Sequence, residues 1–259
     1  MTGEQQQREC KEHGAYTSER IKLGPVDGWT ECPKCAAGCL EAKRVQDVAE
    51  IQRNVHAGKQ RRIEERMQRS GIPPRFQGKG FDDYVVGSEK QGRIAQVCRS
   101  YADAFAKLKT NGVSMVLSGG SGTGKTHLAC AIGGSIMRDG HSFLFLTARE
   151  AIATVKSTWG GGGSGGSEAE ALRALLLPDL LVMDEIDIMH GSSAEMLILF
   201  DVINGRYQDM KPTILMSNLP AEGEGKTVKS VLGDRMFDRI REGGGRILTF
   251  DWASYRGMA

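Results

Sequence analysis

The stretch that decides the fold of this chain is Gly119-Gly120-Ser121-Gly122-Thr123-Gly124-Lys125-Thr126, which fits the pattern G-x-x-x-x-G-K-[ST]. An apolar run at residues 113–117 comes just before it, and a helix-like stretch at residues 125–138 continues from it. Glycines allow backbone amides to turn toward phosphate oxygens, Lys125 reaches the β- and γ-phosphates, and the Thr126 hydroxyl can ligate Mg²⁺. A strand before the pattern and a helix after it favour a phosphate-binding loop over a chance glycine-rich turn.

Two acidic residues follow another strand-like run. Residues 180–183 are apolar and lead directly into Asp184 and Glu185. We expect Asp184 to lie beside the phosphate loop and hold the Mg²⁺ shell, and Glu185 to polarise the water that attacks the γ-phosphate. Asp187 is assigned to the loop that follows. The competing interpretation is a strand that ends in a solvated acidic turn.

A polar tip also ends the run at residues 213–216, where Ser217 and Asn218 follow. In a parallel sheet this tip lies next to the acidic strand, so Asn218 can orient the attacking water or sense the γ-phosphate. A plain strand-to-loop cap would use the same residue types. Together with the paired carboxylates, this arrangement predicts hydrolysis of a nucleotide rather than phosphoryl transfer to a small molecule.

The surrounding sequence predicts an α/β fold. Five short apolar runs alternate with helical stretches, which is typical of a five-stranded parallel sheet flanked by helices, with ligands at the carboxyl ends of the strands. The last run ends about nine residues before the end of the given sequence, and we expect no C-terminal helical lid. The expected strands are residues 113–117, 142–146, 180–183, 213–216 and 246–250.

Three regions differ in composition. Residues 1–40 carry four of the six cysteines, residues 41–75 are charged and helix-prone, and residues 76–259 carry the α/β pattern. The middle region has eight basic and five acidic side chains between residues 41 and 69, and it ends at Ser70-Gly71-Ile72-Pro73-Pro74, where the prolines stop a helix. It is interpreted as a basic helical linker, or alternatively as an arm that binds nucleic acid or a partner.

Overall composition excludes several classes of protein. With 40% hydrophobic and 25% charged residues, the chain is neither collagen-like nor wholly disordered, although 34 of its 259 residues are glycine. A formal charge of +2 excludes a histone-like polycation, so nucleic-acid binding would depend on local patches or on assembly of several subunits. No secretory or membrane segment is visible, and we expect a cytoplasmic protein without membrane contact.

The clustered cysteines predict a zinc site in the N-terminal region. A Cys-x2-His pair is followed after 18 residues by a Cys-x2-Cys pair, and such paired ligands suit tetrahedral Zn²⁺. Cys39 is an alternative to the histidine, and the competing interpretation is a set of unrelated reduced residues. Cys98 and Cys130 are expected to be core thiols. The predicted zinc ligands are Cys10, His13, Cys32 and Cys35.

From about residue 66 to the C-terminus, the sequence resembles the AAA+ ATPases, and among them the DnaC-type replicative helicase loaders and their IstB-like relatives. The resemblance rests on the ATPase motifs and on three further segments at residues 69–84, 232–239 and 250–256. It implies the AAA+ fold, Mg·ATP hydrolysis, self-assembly into a helical or ring-like oligomer, and loading of a replicative helicase onto single-stranded DNA. An IstB-like helper that acts on a transposase is the alternative.

The same resemblance implies roles for further residues. Arg239 is similar to the finger that a neighbouring subunit inserts at the γ-phosphate, with Arg235 as an alternative, and Arg256 is similar to the second phosphate sensor. Lys156 and Trp159 match the residues that contact single-stranded DNA. From the residues alone, charged-helix arginines would be solvated and Trp159 would be a buried helix end. The glycine run at residues 160–166 is interpreted as a channel-side loop, a linker or an engineered insertion.

The zinc module departs from loaders whose N-terminal region is simply helical. It can bind a particular helicase or initiator, or it can bind DNA. A further alternative of a different class is a non-catalytic regulator, in which ATP only switches a zinc-bearing DNA-binding protein.

Overall fold

The computed structural model describes residues 4–23, 25–159, 167–188 and 192–257. The chain forms two compact units, residues 1–61 and residues 62–259, which are described separately. The glycine run at residues 160–166 lies outside the described residues. None of the described helices combines the length and the hydropathy that a membrane crossing requires.

The first unit begins with a three-stranded antiparallel sheet of strands β1 (Gln5–Cys10), β2 (Gly14–Leu23) and β3 (Val26–Trp29), in that spatial order. Its first turn brings Cys10 opposite Gly14. The buried hydroxyl of Ser18 donates a hydrogen bond to the Thr30 carbonyl oxygen at 2.6 Å, which fixes the chain just before the second cysteine pair.

Helix α1 (Pro33–Arg69) follows, and proline suits its first position because an amide there has no partner within the helix. The helix thus begins before the boundary at residue 40 that the sequence predicts, and the division into a metal module, a linker and an ATPase domain remains a prediction. Valine and isoleucine side chains on α1 are well exposed, among them Val45, Ile51 and Val55.

The second unit contains a parallel five-stranded sheet with the order β5-β6-β7-β4-β8, as the sequence predicted. Each predicted strand agrees with the observed one to within two residues. Continuous apolar runs form these strands because helices cover both faces of the sheet. The strands are β4 (Met115–Gly119), β5 (Phe143–Thr147), β6 (Leu180–Asp184), β7 (Thr213–Ser217) and β8 (Arg246–Phe250).

Helices divide the core of this unit into two layers, one on each side of the sheet. Along β4, Met115 and Leu117 pack into one layer while Val116 packs into the other, as expected for alternating side chains. Cys98 and Cys130 are buried in the first layer, which confirms them as core thiols. The helices are α2 (Glu89–Asp103), α3 (Phe105–Thr110), α4 (Lys125–Arg138), α5 (Ala148–Lys156), α6 (Glu168–Leu176), α7 (Ser193–Gln208), α8 (Val228–Leu232) and α9 (Asp234–Arg241).

Buried Arg206 on α7 links this helix to α6 and to the first residue of β7. The Arg206 guanidinium donates hydrogen bonds to the carbonyl oxygens of five residues and to the Thr213 hydroxyl. Burial lowers the pKa of Arg206 to about 9, so the group stays charged at neutral pH. The carbonyl acceptors belong to Leu175, Leu176, Pro178, Asp179 and Pro212.

The strand order determines where the motif residues lie. Strand β7 is between β6 and β4, so the ends of these three strands form one edge. The phosphate loop follows β4, the acidic pair ends β6, and Asn218 follows β7. The sequence-based expectation that the polar tip of β7 lies next to the acidic strand is therefore confirmed. After β8 the described residues form only one short 3-10 turn, at Tyr255–Gly257.

Candidate functional site

A cleft of about 370 Å³ lies at the carboxyl edge of the parallel sheet. The phosphate loop, the acidic pair and Asn218 all line it, and so does Arg256. Three motifs from distant parts of the sequence therefore meet in one cleft. Its other walls come from the segment before α2, from the first turn of α4 and from the residues after β8, among them Arg75, Phe76, Lys79, Tyr84, His127, Trp252 and Tyr255.

Backbone conformation in the phosphate loop requires glycine at two positions in particular. Gly119 has a φ of +126°, and a Cβ there would lie 2.2 Å from the Phe250 carbonyl oxygen. Gly124 has a φ of +95°, and a Cβ there would lie 2.5 Å from the Tyr84 ring. Helix α4 starts at Lys125 without a side-chain cap, so its first amides are available to an anion.

The Lys125 ammonium group is held by oxygen atoms of the site itself. Its Nζ donates to the carbonyl oxygens of Gly119 at 2.6 Å and Gly120 at 2.8 Å, and to Asn218 Oδ1 at 3.1 Å. Burial lowers the pKa of Lys125, while the nearby Asp184 carboxylate opposes that shift. Phosphate binding at this group is therefore an exchange of partners, in which anionic oxygens replace carbonyl and amide oxygens.

Thr126 and Asp184 lie close enough to share a metal ion. The Thr126 hydroxyl donates to Asp184 Oδ2 at 3.3 Å, and Asp184 Oδ1 accepts a hydrogen bond from the Glu185 amide at 2.7 Å. Burial raises the pKa of Asp184. A hydroxyl and a carboxylate are hard oxygen donors, and this donor set fits Mg²⁺ bound mainly by water and phosphate oxygens.

Glu185 lines the cleft directly after the end of β6. Its side chain is exposed beside the cleft, and its φ of +57° is unusual for a residue other than glycine. Partial burial, together with repulsion from Asp184 and Asp187, raises the pKa of Glu185. A raised pKa makes a carboxylate a better proton acceptor.

Aromatic side chains form one wall of the cleft. The Tyr84 hydroxyl donates to the Thr123 carbonyl oxygen at 3.3 Å, and Trp252 Nε1 donates to the same oxygen at 3.1 Å. The His127 ring packs edge-on against Phe76 and Tyr84. Burial raises the pKa of Tyr84 to about 12, so its hydroxyl stays a donor.

Sequence reasoning did not assign these aromatic residues to the site. Tyr84 lies in the segment at residues 69–84 that contributes to the family resemblance. His127 lies two residues after the motif lysine, and no sequence pattern marks it. Their proximity depends on how the segment before α2 folds over the loop.

The C-terminal segment also contacts the phosphate loop. The Tyr255 amide donates to the Gly122 carbonyl oxygen at 2.9 Å, and the Ser254 side chain occupies the space where a Cβ of Gly122 would lie. Arg256 consequently lines the cleft and lies close enough to Lys125 to lower its pKa. A second cation beside the loop suits a polyphosphate.

The other two arginines lie outside the cleft of their own chain. The Arg239 guanidinium lies over the rings of Phe200 at 5.2 Å and Tyr207 at 5.4 Å. Within the described part of the chain, its buried Nη1 has no hydrogen-bond partner. Arg235, one turn earlier on α9, has an exposed side chain.

Lys156 and Trp159, the residues predicted to contact DNA, lie at the end of α5 and just beyond it, and each contacts a carboxylate. Lys156 Nζ lies 3.0 Å from Glu195 Oε1, and Trp159 Nε1 donates to Glu168 Oε2 at 3.0 Å. The Trp159 side chain is 50% exposed, so the alternative interpretation as a buried helix end is wrong.

The four predicted zinc ligands come together in the first unit. Their ligand atoms all lie within 4.8 Å of one another, with Cys10 Sγ 3.5 Å from Cys35 Sγ and 3.6 Å from His13 Nδ1. Tetrahedral Zn²⁺ places sulfur ligands roughly 3.8 Å apart, given Zn–S bonds of about 2.3 Å. The geometry therefore fits zinc, and exposed Cys39 lies outside the group.

Electrostatics favour a thiolate in this cluster. The backbone amide of Glu12 and the ring of His13 lower the pKa of Cys10 to about 6. Zinc binds the thiolate form of cysteine, so this shift favours metal binding at Cys10, whereas the neighbouring Cys10 and Cys32 side chains, together with burial, raise the pKa of Cys35 to about 12.

Comparisons with known proteins agree with this geometry. The model of the family described as "IstB-like ATP binding protein" matches residues 43–257. The replicative helicase loader DnaC of Buchnera aphidicola (subspecies Acyrthosiphon pisum) is 36% identical over 188 residues, which cover 73% of each chain. The corresponding loader of Escherichia coli K12 is 35% identical, again over 73% of each chain.

Solved structures show the same fold. A crystal structure of the DnaC helicase loader superimposes with a TM-score of 0.58 at 23% identity, covering 68% of this chain and 99% of that one. A crystal structure of DnaI has a TM-score of 0.57 at 16% identity, covering 73% of this chain and 98% of the other.

Proposed function

The chain belongs to the family of IstB-like ATP-binding proteins, and from this membership and its similarity to the DnaC helicase loaders we propose that it is an ATPase that loads a replicative hexameric DNA helicase onto single-stranded DNA. The observation that carries the proposal is the convergence of Lys125, Thr126, Asp184 and Glu185 in one cleft. The protein acts in the cytoplasm as an assembly of several copies.

ATP binding depends on the phosphate loop and the two cations beside it. The amides at the start of α4 and the Lys125 ammonium group bind the phosphates, and Arg256 adds charge from the C-terminal segment. The aromatic wall of Phe76, Tyr84 and His127 contacts the nucleoside part. Thr126 and Asp184 hold Mg²⁺, which neutralises charge that develops on the phosphates.

Hydrolysis depends on Glu185 and Asn218. Glu185 accepts the proton of the attacking water, and its raised pKa suits that role. Asn218 contacts Lys125 directly, so its amide is placed to respond to a γ-phosphate at that lysine.

A neighbouring subunit can complete the site only with an arginine whose side chain is able to extend away from its own subunit. Arg235 is exposed, whereas Arg239 is partly exposed and its guanidinium lies over the rings of Phe200 and Tyr207. We therefore place Arg235 first as the residue that reaches the γ-phosphate in trans, with Arg239 as the alternative. A cation supplied in trans couples hydrolysis to assembly.

DNA binding is assigned to Lys156 and Trp159. Lysine neutralises a phosphate, and the half-exposed indole can stack on a base. A formal charge of only +2 for the whole chain means that tight binding needs several copies along one strand.

The N-terminal unit is assigned to protein contact, with Zn²⁺ as its structural metal. Residues 1–40 carry five basic and six acidic side chains, so they lack the positive charge of a DNA-binding surface. The exposed Val45, Ile51 and Val55 on α1 offer an apolar surface for the helicase. The balanced charge of residues 1–40 and the exposed apolar side chains of α1 favour the helicase over DNA as the target of the metal module.

Nucleotide chemistry is tested with two variants and a control. Lys125→Ala should lose ATP binding, whereas Glu185→Gln should bind ATP but hydrolyse it at least about 100-fold more slowly. Lys107→Ala removes an exposed lysine on α3 and should behave as wild type. Unchanged ATP affinity in Lys125→Ala would contradict the proposal, and turnover that survives Glu185→Gln would favour a role for another base.

Subunit mixing tests the arginine in trans. Glu185→Gln subunits and Arg235→Ala subunits should each be inactive alone. When the two are mixed, some interfaces combine Glu185 of one subunit with Arg235 of its neighbour, and these interfaces should hydrolyse ATP. The same experiment with Arg239→Ala compares the two candidates directly. If neither mixture recovers activity at any ratio, the trans arrangement is refuted.

The second candidate function is an IstB-like helper that acts on a transposase, which the family match at residues 43–257 favours. Co-purification of the full chain with a replicative helicase or with a transposase, with and without ATP, distinguishes the two. Capture of the transposase alone would replace the loader assignment while leaving the ATPase chemistry intact.

A further inference from the structure

Asp187 links the acidic loop to the tip of the neighbouring strand. Its Oδ1 accepts a hydrogen bond from the Ser217 hydroxyl at 2.8 Å and another from the Asn218 backbone amide at 3.1 Å. Both donors lie at the end of β7, about 30 residues away in the sequence. The sequence assigned Asp187 only to the loop after β6, so the structure gives this side chain a partner that no sequence motif indicated.

The Asp187 loop is fixed to its surroundings from other directions as well. The Ile186 amide donates to the Met216 carbonyl oxygen at 3.2 Å, and Lys226 Nζ donates to the Asp187 carbonyl oxygen at 3.1 Å. Ser217 is buried, and its hydroxyl also accepts a hydrogen bond from the Leu219 amide at 3.0 Å. The carboxylate is therefore attached to a constrained loop, and it constrains the turn that carries Asn218.

From Asn218 the contacts continue into the phosphate loop. Asn218 Oδ1 accepts a hydrogen bond from Lys125 Nζ at 3.1 Å, while its backbone amide is held by Asp187. A fixed backbone amide restricts where the side chain of the same residue can point. Hydrogen bonds to an ionised carboxylate are about twice as strong as bonds between neutral groups. Asp187 is therefore well suited to position Asn218.

We propose that Asp187 is a positioning residue for ATP hydrolysis, which acts by holding the Asn218 backbone so that the Asn218 amide group faces Lys125 and the γ-phosphate. This inference rests on the proposed ATPase function. It predicts that Asp187 affects the catalytic rate rather than nucleotide affinity, because neither of its side-chain partners is in the phosphate loop. A misplacement of about 1 Å in a catalytic site can cost about 100-fold in rate.

Kinetic measurements on three variants test the proposal. Asp187→Ala should lower kcat by about 10- to 100-fold with KM for ATP changed less than about threefold. Asp187→Asn keeps an oxygen that can accept both hydrogen bonds, so its kcat should lie within about fivefold of wild type. Glu224→Ala removes an exposed acidic side chain from a nearby loop and should leave both constants unchanged.

A double-mutant cycle separates positioning from a general structural effect. If Asp187 acts through Asn218, Asp187→Ala should cause no greater loss of kcat than Asp187→Asn in an Asn218→Ala background, because both variants lack the negative charge that acts on Glu185. Losses that multiply would overturn the proposal, and so would an unchanged kcat in Asp187→Ala. If Asp187→Ala does not fold, Asp187→Ser carries the same comparison, because its side chain is too short to accept both hydrogen bonds, and a wild-type kcat in that variant would overturn the proposal.

Hydrogen exchange provides a readout that does not require turnover. The Asn218 amide should exchange at least about tenfold faster in Asp187→Ala than in wild type, and at a nearly normal rate in Asp187→Asn. If the wild-type protein does not hydrolyse ATP, the ATPase proposal fails, yet the exchange rate still decides whether Asp187 holds Asn218. An unchanged exchange rate in Asp187→Ala would refute the inference whatever the ATPase result.

Discussion

Neutralising Glu195 should tighten the binding of single-stranded DNA. In the structure, Lys156 Nζ lies 3.0 Å from the Glu195 carboxylate, and the Trp159 indole donates to Glu168 at 3.0 Å. A DNA phosphate or base that uses Lys156 or Trp159 must first displace these carboxylates. Glu195→Gln and Glu168→Gln remove the competing charges while keeping the size of the side chains.

The expected gain follows from the exposure of the pairs. Lys156 is 37% exposed and Glu195 is 14% exposed, so their contact is partly screened by solvent. Partly exposed ion pairs contribute about 0.2–1 kcal/mol, and 1.4 kcal/mol corresponds to a tenfold change in affinity. Glu195→Gln should therefore lower Kd by about 1.4- to fivefold, and the double variant should have a lower Kd than Glu195→Gln alone.

Salt dependence gives a second and independent measure. In the wild-type protein, a phosphate that binds Lys156 releases a counterion, but the Glu195 carboxylate that it displaces takes up a cation, so the net release is small. In Glu195→Gln the same contact releases a counterion from the single strand, and the slope of log K against log salt should steepen by about 0.7 per subunit. Fluorescence anisotropy with a labelled oligothymidylate, measured between low and moderate salt, provides both values.

The matched control is Glu222→Gln, because Glu222 forms a similar ion pair with Arg241 at 2.9 Å. It removes the same charge and should leave DNA affinity close to wild type. Lys156→Ala should abolish the gain produced by Glu195→Gln. An equal gain in both glutamine variants would show a nonspecific charge effect, and unchanged affinity in Glu195→Gln would refute the competition.

Three further perturbations test the site and the fold. Gly124→Ala should weaken ATP binding at least about tenfold by calorimetry, because a Cβ would lie 2.5 Å from Tyr84, whereas Gly134→Ala, with no heavy atom within 4 Å, should bind normally. Arg206→Leu should lower the free energy of unfolding by about 3–5 kcal/mol in urea titrations, and a loss below about 1 kcal/mol would contradict the role of its buried hydrogen bonds. Removal of zinc by a chelator, or Cys32→Ser, should unfold the first unit in NMR spectra while ATP affinity is retained; loss of ATP binding would show that the metal also supports the second unit.

The fold was predictable because buried parallel strands and the phosphate loop leave strong local signals. The predicted strands are mostly apolar, with the continuous run at residues 180–183 as the clearest case, and helices on both faces of the sheet favour such runs. The meeting of Lys125, Asp184 and Asn218 followed from the rule that strand ends share one edge. These predictions needed only the order of elements along the chain and elementary sheet geometry.

The rest of the site depends on contacts between residues far apart in sequence. Tyr84 reaches Thr123 across 39 positions, and Trp252 reaches the same carbonyl across 129. The sequence likewise gives no sign of the contact between Asp187 and Asn218, because nothing distinguishes Asp187 from the acidic residues just before it. Such pairs depend on how loops lie against each other, for which the hydrophobic pattern carries no information.

Arg239 illustrates a different limit. The family resemblance implied a finger at this position, yet its guanidinium lies over Phe200 and Tyr207 in the structure. Cation–π contacts depend on side chains from another helix, and a single helical segment does not reveal them. Exposure of the neighbouring Arg235 is equally a property of the packed structure, and it changes which arginine the trans experiment should examine first.

The Thr123 carbonyl oxygen accepts hydrogen bonds from Tyr84, upstream of the whole sheet, and from Trp252, downstream of its last strand. One atom of the phosphate loop thus connects a segment that precedes the sheet with a segment that follows it. A displacement of this carbonyl by less than an ångström would stretch both bonds at once, since hydrogen bonds of this length weaken steeply when they are lengthened. Movement of the phosphate loop would therefore affect the segments of Tyr84 and Trp252 at the same time.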